Sequence, residues 1–146
     1  MTDWNRLFSY PEVEQYTLCG LAPVEELLDF LKQPHVEVEE YEKGVIAYVQ
    51  KDGFKEVHVA FEPSCWGREV AFILKTSFGN QMDRGVVLSA GEQEGYYRSR
   101  PPLSHGWRVN GEFETSEHPR RIRQWILTPD AWYRSAVGRK YNELCC

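Results

Sequence analysis

A chain of 146 residues, 42% apolar and 14% aromatic, is long enough for one domain with its own core and too apolar to be disordered. A net charge of -5 and a pI near 5.4 argue against nucleic acid as the default partner. The lack of an 18-residue apolar stretch or an apolar leader argues against a spanning helix, a membrane partner or a secretory signal.

The first twenty residues are weakly patterned and broken by Pro11, which predicts loop and a short helix. In "PVEELLDFLKQP", Val24, Leu27, Leu28 and Leu31 follow the spacing of one buried helical stripe, opened by Pro23 and stopped by Pro34. Three strands follow: "HVEVEEY", "GVIAYVQK" and "FKEVHVAF", the last two joined by the hairpin signal Asp52-Gly53. Along the third strand Val57, Val59 and Phe61 face one way, and Glu56, His58, Ala60 and Glu62 face the other. Val70, Ile73, Leu74 and Phe78 then take up helical spacing, with Gly79-Asn80 as the expected stop. "RGVVLSA" predicts a central strand over Arg84 to Ala90. Strand alternation returns from Trp107 to Phe113 and from Arg121 to Leu127. Thr128-Pro129-Asp130 then predicts the start of a terminal helix reaching about Tyr141. The expected fold is α+β: a single domain over residues 1–146 around one mixed, mostly antiparallel sheet flanked by helices.

The corner in "VHVAFEPSCWGREVAFIL" passes from strand to helix through Pro63, Trp66 and Gly67. Such a corner aims the unpaired first-turn amides of the helix, with the positive end of its dipole, at whatever lies beyond the strand. A phosphate is a natural guest there, although many strand–helix corners bind nothing.

The order of elements resembles the GCN5-related N-acetyltransferase (GNAT) superfamily. "HVAFEPSCWGREVAFIL" is similar to that family's fourth strand and pyrophosphate loop, Q/R-x-x-G-x-G/A, and "RSRPPLSHGWRVNGEFETSEHPRRIRQWILTPDAW" is similar to its C-terminal part. The resemblance covers roughly Pro23 to Trp132, and the chain resembles the small, divergent members encoded by bacteriophages. It implies acetyl-CoA as donor, a small amine or a protein amine as acceptor, and direct acyl transfer. It also implies a cofactor site formed by Phe61, Cys65, Trp66, Gly67, Arg68, Glu69, Val70 and Ala71. In that register Trp66 holds the Q/R position and Glu69 stands where glycine is expected; only Ala71 matches, with Gly67 as an extra glycine. A carboxylate beside a phosphate is an unfavourable contact of about 1 kcal/mol even when well solvated. Arg68 could offset it by pairing with the cofactor, or Glu69 could simply complement the helix dipole over an empty loop.

Amine acetylation needs a base near the acyl carbonyl and a proton donor for the departing thiolate. Glu56, His58 and Glu62 share one strand face, and any of them could serve as base, against readings as solvated strand charges or a cross-strand pairing histidine. The family's usual acid tyrosine is absent, since Pro102 stands four residues before Gly106; Tyr96 and Tyr97 lie close by, and Tyr97 is the candidate carried forward. Cys65 has no histidine at a recognisable spacing and is expected to pack. Trp107, Trp125 and Trp132 are expected in the core. Cys19, Cys65, Cys145 and Cys146 contain no C-x-x-C pair, so no metal and no disulfide framework is expected, and a reduced cytoplasm is the compartment implied. The alternative function is an inactive transferase-like fold that binds a protein partner, such as a host factor or a second copy of itself in a homodimer. Nucleic-acid binding through Arg120, Arg121 and Arg123 is the third and weakest reading.

Overall fold

The computed structural model describes residues 2–11, 13, 24–93, 100–113 and 121–145. Two helices come first: α1 (Trp4–Leu7), capped by the Asp3 side chain, and α2 (Val24–Leu31). An antiparallel meander follows, of β1 (Val36–Tyr41), β2 (Gly44–Gln50) and β3 (Lys55–Phe61), with Tyr41 opposite Gly44 and Gln50 opposite Lys55. Gly53 takes φ +84 in the second connection, a left-handed value that glycine reaches without a steric penalty. Beyond β3 a 3-10 turn (Pro63–Cys65) leads into α3 (Arg68–Asp83), which returns the chain to β4 (Leu88–Gln93), parallel to β3. A second 3-10 turn (Leu103–His105) precedes β5 (Arg108–Phe113); β6 (Ile122–Leu127) then inserts between β4 and β5. The result is one six-stranded mixed sheet of order β1-β2-β3-β4-β6-β5.

Period-2 alternation splits the core between the two faces of this sheet. Ile46, Tyr48, Val57 and Phe61 pack with α3, with α4 (Pro129–Arg134) and with α5 (Ala136–Cys145), while Val45 and Ala60 pack with Leu7 and Leu27 of the N-terminal helices and with Phe8, which follows α1. Trp107, Trp125 and Trp132 are all buried on the α3 side. No described helix is long and apolar enough to cross a membrane, and no group of three or more His, Cys, Asp or Glu among the described residues could hold a metal ion.

Three expectations are corrected. Gly79-Asn80 does not end a helix, because α3 runs on to Asp83 and stops at Arg84 and Gly85, the latter at φ +75. Gly79 serves packing instead: a Cβ there would lie 2.5 Å from the ring of Tyr141 on α5. The central strand begins at Leu88, not Arg84, because the helix end holds the preceding residues, with Val86 N–H bonded to Gln81 O at 3.1 Å. The terminal helix is two helices. Ser135 adopts ψ 158 between them, its hydroxyl donating to Trp132 O at 2.6 Å and accepting from Gly138 N–H at 2.9 Å.

Thr128 caps α4 as expected, its hydroxyl accepting from Ala131 N–H at 3.2 Å. Thr128→Ala is expected to cost about 1 kcal/mol and to lower the melting temperature by about 3 °C in calorimetry.

Candidate active site

The corner after β3 is held by backbone bonds from Cys65 N–H to Glu62 O at 3.1 Å and from Trp66 N–H to Pro63 O at 3.2 Å. Gly67 then takes φ +107 and ψ -123, a region open essentially to glycine alone, and has no side chain with which to cap α3. Ala71 is the first amide of α3 with a helical partner, Gly67 O at 2.9 Å. The amides of Arg68, Glu69 and Val70 are therefore donors with no partner among the described residues, at the positive end of a 16-residue helix. Ser64, Gly67, Arg68 and Glu69 are exposed around them, and a Cβ at Gly67 would meet nothing within 4 Å. Cys65 is packed into the corner. Its thiol is buried, donates to Glu62 O at 3.1 Å, and is pushed above its ordinary pKa first by burial and then by Glu69.

A gap runs from this corner into the sheet. β3 and β4 pair at only two positions, Lys55 with Leu88 and Glu56 with Ser89. The direction of the open backbone follows from two bonds: Lys55 N–H donates to Val87 O on the β4 side, whereas Glu62 N–H donates to Lys43 O on the β2 side. Odd-numbered residues of β3 thus turn their backbone groups toward β4, and beyond the fork Val59 and Phe61 present theirs to the gap. Val59 records the same opening with its side chain. It is 38% exposed between Val57 at 7% and Phe61 at 3%, in the interior of a central strand.

The three carboxylate and imidazole candidates do share one face of β3, but they do not form one cluster. His58 Nε2 and Glu56 Oε1 are 2.6 Å apart at the fork, both partly exposed. The bond from His58 is the main influence holding the Glu56 carboxyl below its usual range, against the opposing effect of burial. Glu62 lies about 13 Å further along the strand at ~3.3 Å per residue. It is buried, with Arg6 Nε of α1 at 2.6 Å and the Tyr10 hydroxyl at 3.5 Å. Tyr96 and Tyr97 lie outside the described residues.

Two features of the site left no mark in the sequence. Glu62's partner Arg6 is 56 residues away in the chain, and nothing local announces it. Glu92, at the far end of β4, is a buried carboxylate bonded to Trp125 Nε1 at 3.0 Å and Arg100 Nε at 2.8 Å, with Arg123 at 3.5 Å. The basic segment read as a weak nucleic-acid candidate is compensated across the strands, with Arg121 and Arg123 both paired to Glu112. Arg120 lies outside the described residues.

Helical amides at one end of an open strand edge and a histidine–carboxylate pair at the other can hold an extended anionic ligand and take a proton near its far end. No family model matches the sequence, and no curated protein matches it. Solved structures share the fold. An uncharacterised protein from Bacillus halodurans has a TM-score of 0.70 at 10% identity, over 97% of this chain and 86% of that one. The ribosomal-protein-S18-alanine N-acetyltransferase from Escherichia coli has a TM-score of 0.60 at 10% identity, over 86% of this chain and 87% of the other. An acetyltransferase assigned to the GNAT family in Bacteroides thetaiotaomicron has a TM-score of 0.53 at 16% identity, over 97% and 89%. The chain has the GNAT fold; at these identities the likeness is one of architecture.

Proposed function

We propose that the chain is an acetyl-CoA-dependent N-acyltransferase acting on an amine. One observation supports this above the rest: the β3 edge opens at Glu56 and runs toward the first-turn amides of α3, with the Trp66 indole at its far end. The residues fit the cofactor. The amides of Arg68, Glu69 and Val70 would hold its pyrophosphate, with the exposed guanidinium of Arg68 beside them. The backbone of Val59 would meet the amides of its extended arm, as a neighbouring strand would. When bound, acetyl-CoA supplies an activated acyl group as a thioester.

At the fork His58 is the base. Its Nε2 is engaged by Glu56, and its Nδ1 would take a proton from the incoming ammonium, leaving the neutral amine that acyl transfer requires. Glu56 fixes the ring and sits where it receives the positive charge that the ring acquires, the role of an orienting carboxylate. Tyr97 would donate the proton that the released thiol of coenzyme A requires.

Titration with acetyl-CoA, followed by thermal unfolding, tests the reading. A ligand bound only by the folded state stabilises by about 2.7 kcal/mol at 100 times its dissociation constant. Absence of any shift at millimolar acetyl-CoA would remove the enzymatic assignment. Because Glu69 is an exposed carboxylate in the first turn of α3, Glu69→Gln is expected to tighten binding about fivefold at low salt and less at high salt.

A further inference from the structure

We infer that the Trp66 indole competes with the cofactor arm for the Phe61 carbonyl and so sets how tightly this chain holds its donor. The inference rests on the proposed transferase function. Phe61 is odd-numbered in β3, so its carbonyl belongs to the edge that faces the gap. The opposite edge of the strand is filled by pairing with β2, where Gly44 lies against Phe61 so closely that a Cβ would fall 2.3 Å from the Phe61 ring. The Trp66 indole N–H donates to Phe61 O at 2.9 Å, and it must reach that oxygen from the gap side. Its ring packs against the apolar clusters on both faces of the sheet, which places it across the open edge at the mouth of the gap. The carbonyl that an amide of an extended ligand would use is thus already satisfied by the chain itself. Val59, two residues further in, has its side chain exposed at the gap and no competing side chain on its backbone groups among the described residues.

Two features make the indole displaceable. Trp66 is only partly buried, and the next residue, Gly67, supplies a backbone that no other amino acid would match. A bound arm must then exchange an internal hydrogen bond for its own, and the exchange gains little affinity.

Isothermal titration with coenzyme A and acetyl-CoA separates the possibilities. Trp66→Phe keeps an aromatic ring and removes the N–H donor, so the variant is expected to bind both ligands about fivefold more tightly than the parent chain, the equivalent of one net hydrogen bond. In the parent chain the Trp66 indole N–H resonance, assigned through its connection to the Trp66 backbone in isotope-labelled protein, is expected to be protected from exchange without ligand and to shift and lose protection at saturating coenzyme A. A parent chain that binds coenzyme A with that resonance unmoved overturns the inference even if the variant fails to fold, and so does a folded variant that binds no tighter. Failure of both proteins to bind coenzyme A removes the transferase reading, and this inference with it.

Discussion

Replacing His58 with Gln is expected to slow acyl transfer at least about 10²-fold while leaving the affinity for coenzyme A within about twofold. Gln preserves hydrogen-bonding capacity beside Glu56 but cannot accept and carry a proton near neutral pH. Glu56→Gln is expected to cost less, about tenfold, because it removes the group that orients the ring and receives its charge, not the group that takes the proton. Glu62→Gln decides between the candidates. Its carboxylate is buried and already engaged by Arg6 at 2.6 Å, so its loss should leave the rate within a few-fold and act on stability instead. The measurement is thiol release from acetyl-CoA with a primary amine acceptor, with kcat and KM resolved for each variant. A Glu62→Gln chain that loses activity while His58→Gln retains it would reverse the assignment.

What could be read from the sequence was local. Alternation fixed the faces of β3, Asp52-Gly53 marked its hairpin, and Thr128-Pro129 marked the start of α4, because each feature depends on a few neighbouring residues. The features that make a site depend on distant ones. Val57, Val59 and Phe61 read identically as one face of the strand, yet Val59 is 38% exposed where β4 no longer pairs with β3. Glu56, His58 and Glu62 read identically as one polar face; pairing with Arg6 separates Glu62 from the other two. Trp66 read as a misfit in a cofactor motif, whereas its indole has a specific partner on the open edge of the strand. Gly79 carried a true constraint misread as a helix stop, since a glycine that admits a tyrosine ring and one that ends a helix look alike in one dimension.

Acidification should expose the other large effect, on stability. His105 is buried at 3% exposure among Phe78 and Trp132, with ring centroids at 5.8 and 5.4 Å. Among the described residues its Nδ1 has no hydrogen-bond partner, and the buried indole N–H groups of Trp107 and Trp132 likewise have none. Burial, with a smaller contribution from Lys75, lowers its pKa from 6.5 to about 4. A histidine held neutral in the folded state leaves the unfolded chain binding more protons below pH 6.5, so stability falls as the pH drops and levels out below about 4. A shift of that size corresponds to a loss of about 3 kcal/mol between pH 7 and pH 4. Glu56 and Glu37 act in the same direction but in a lower window. His58 lowers the first, and Arg84 and Lys55 lower the second against the cost of burial, so both lose stabilisation only as the pH falls below the ordinary carboxylate value of 4.5. Between pH 6.5 and 4.5 the slope belongs to His105 among these groups. Urea unfolding of the parent chain and of His105→Leu across that interval is expected to show a decline that the variant lacks. Equal declines in the two proteins would mean that the imidazole takes up its proton without opening the packing between α3 and α4.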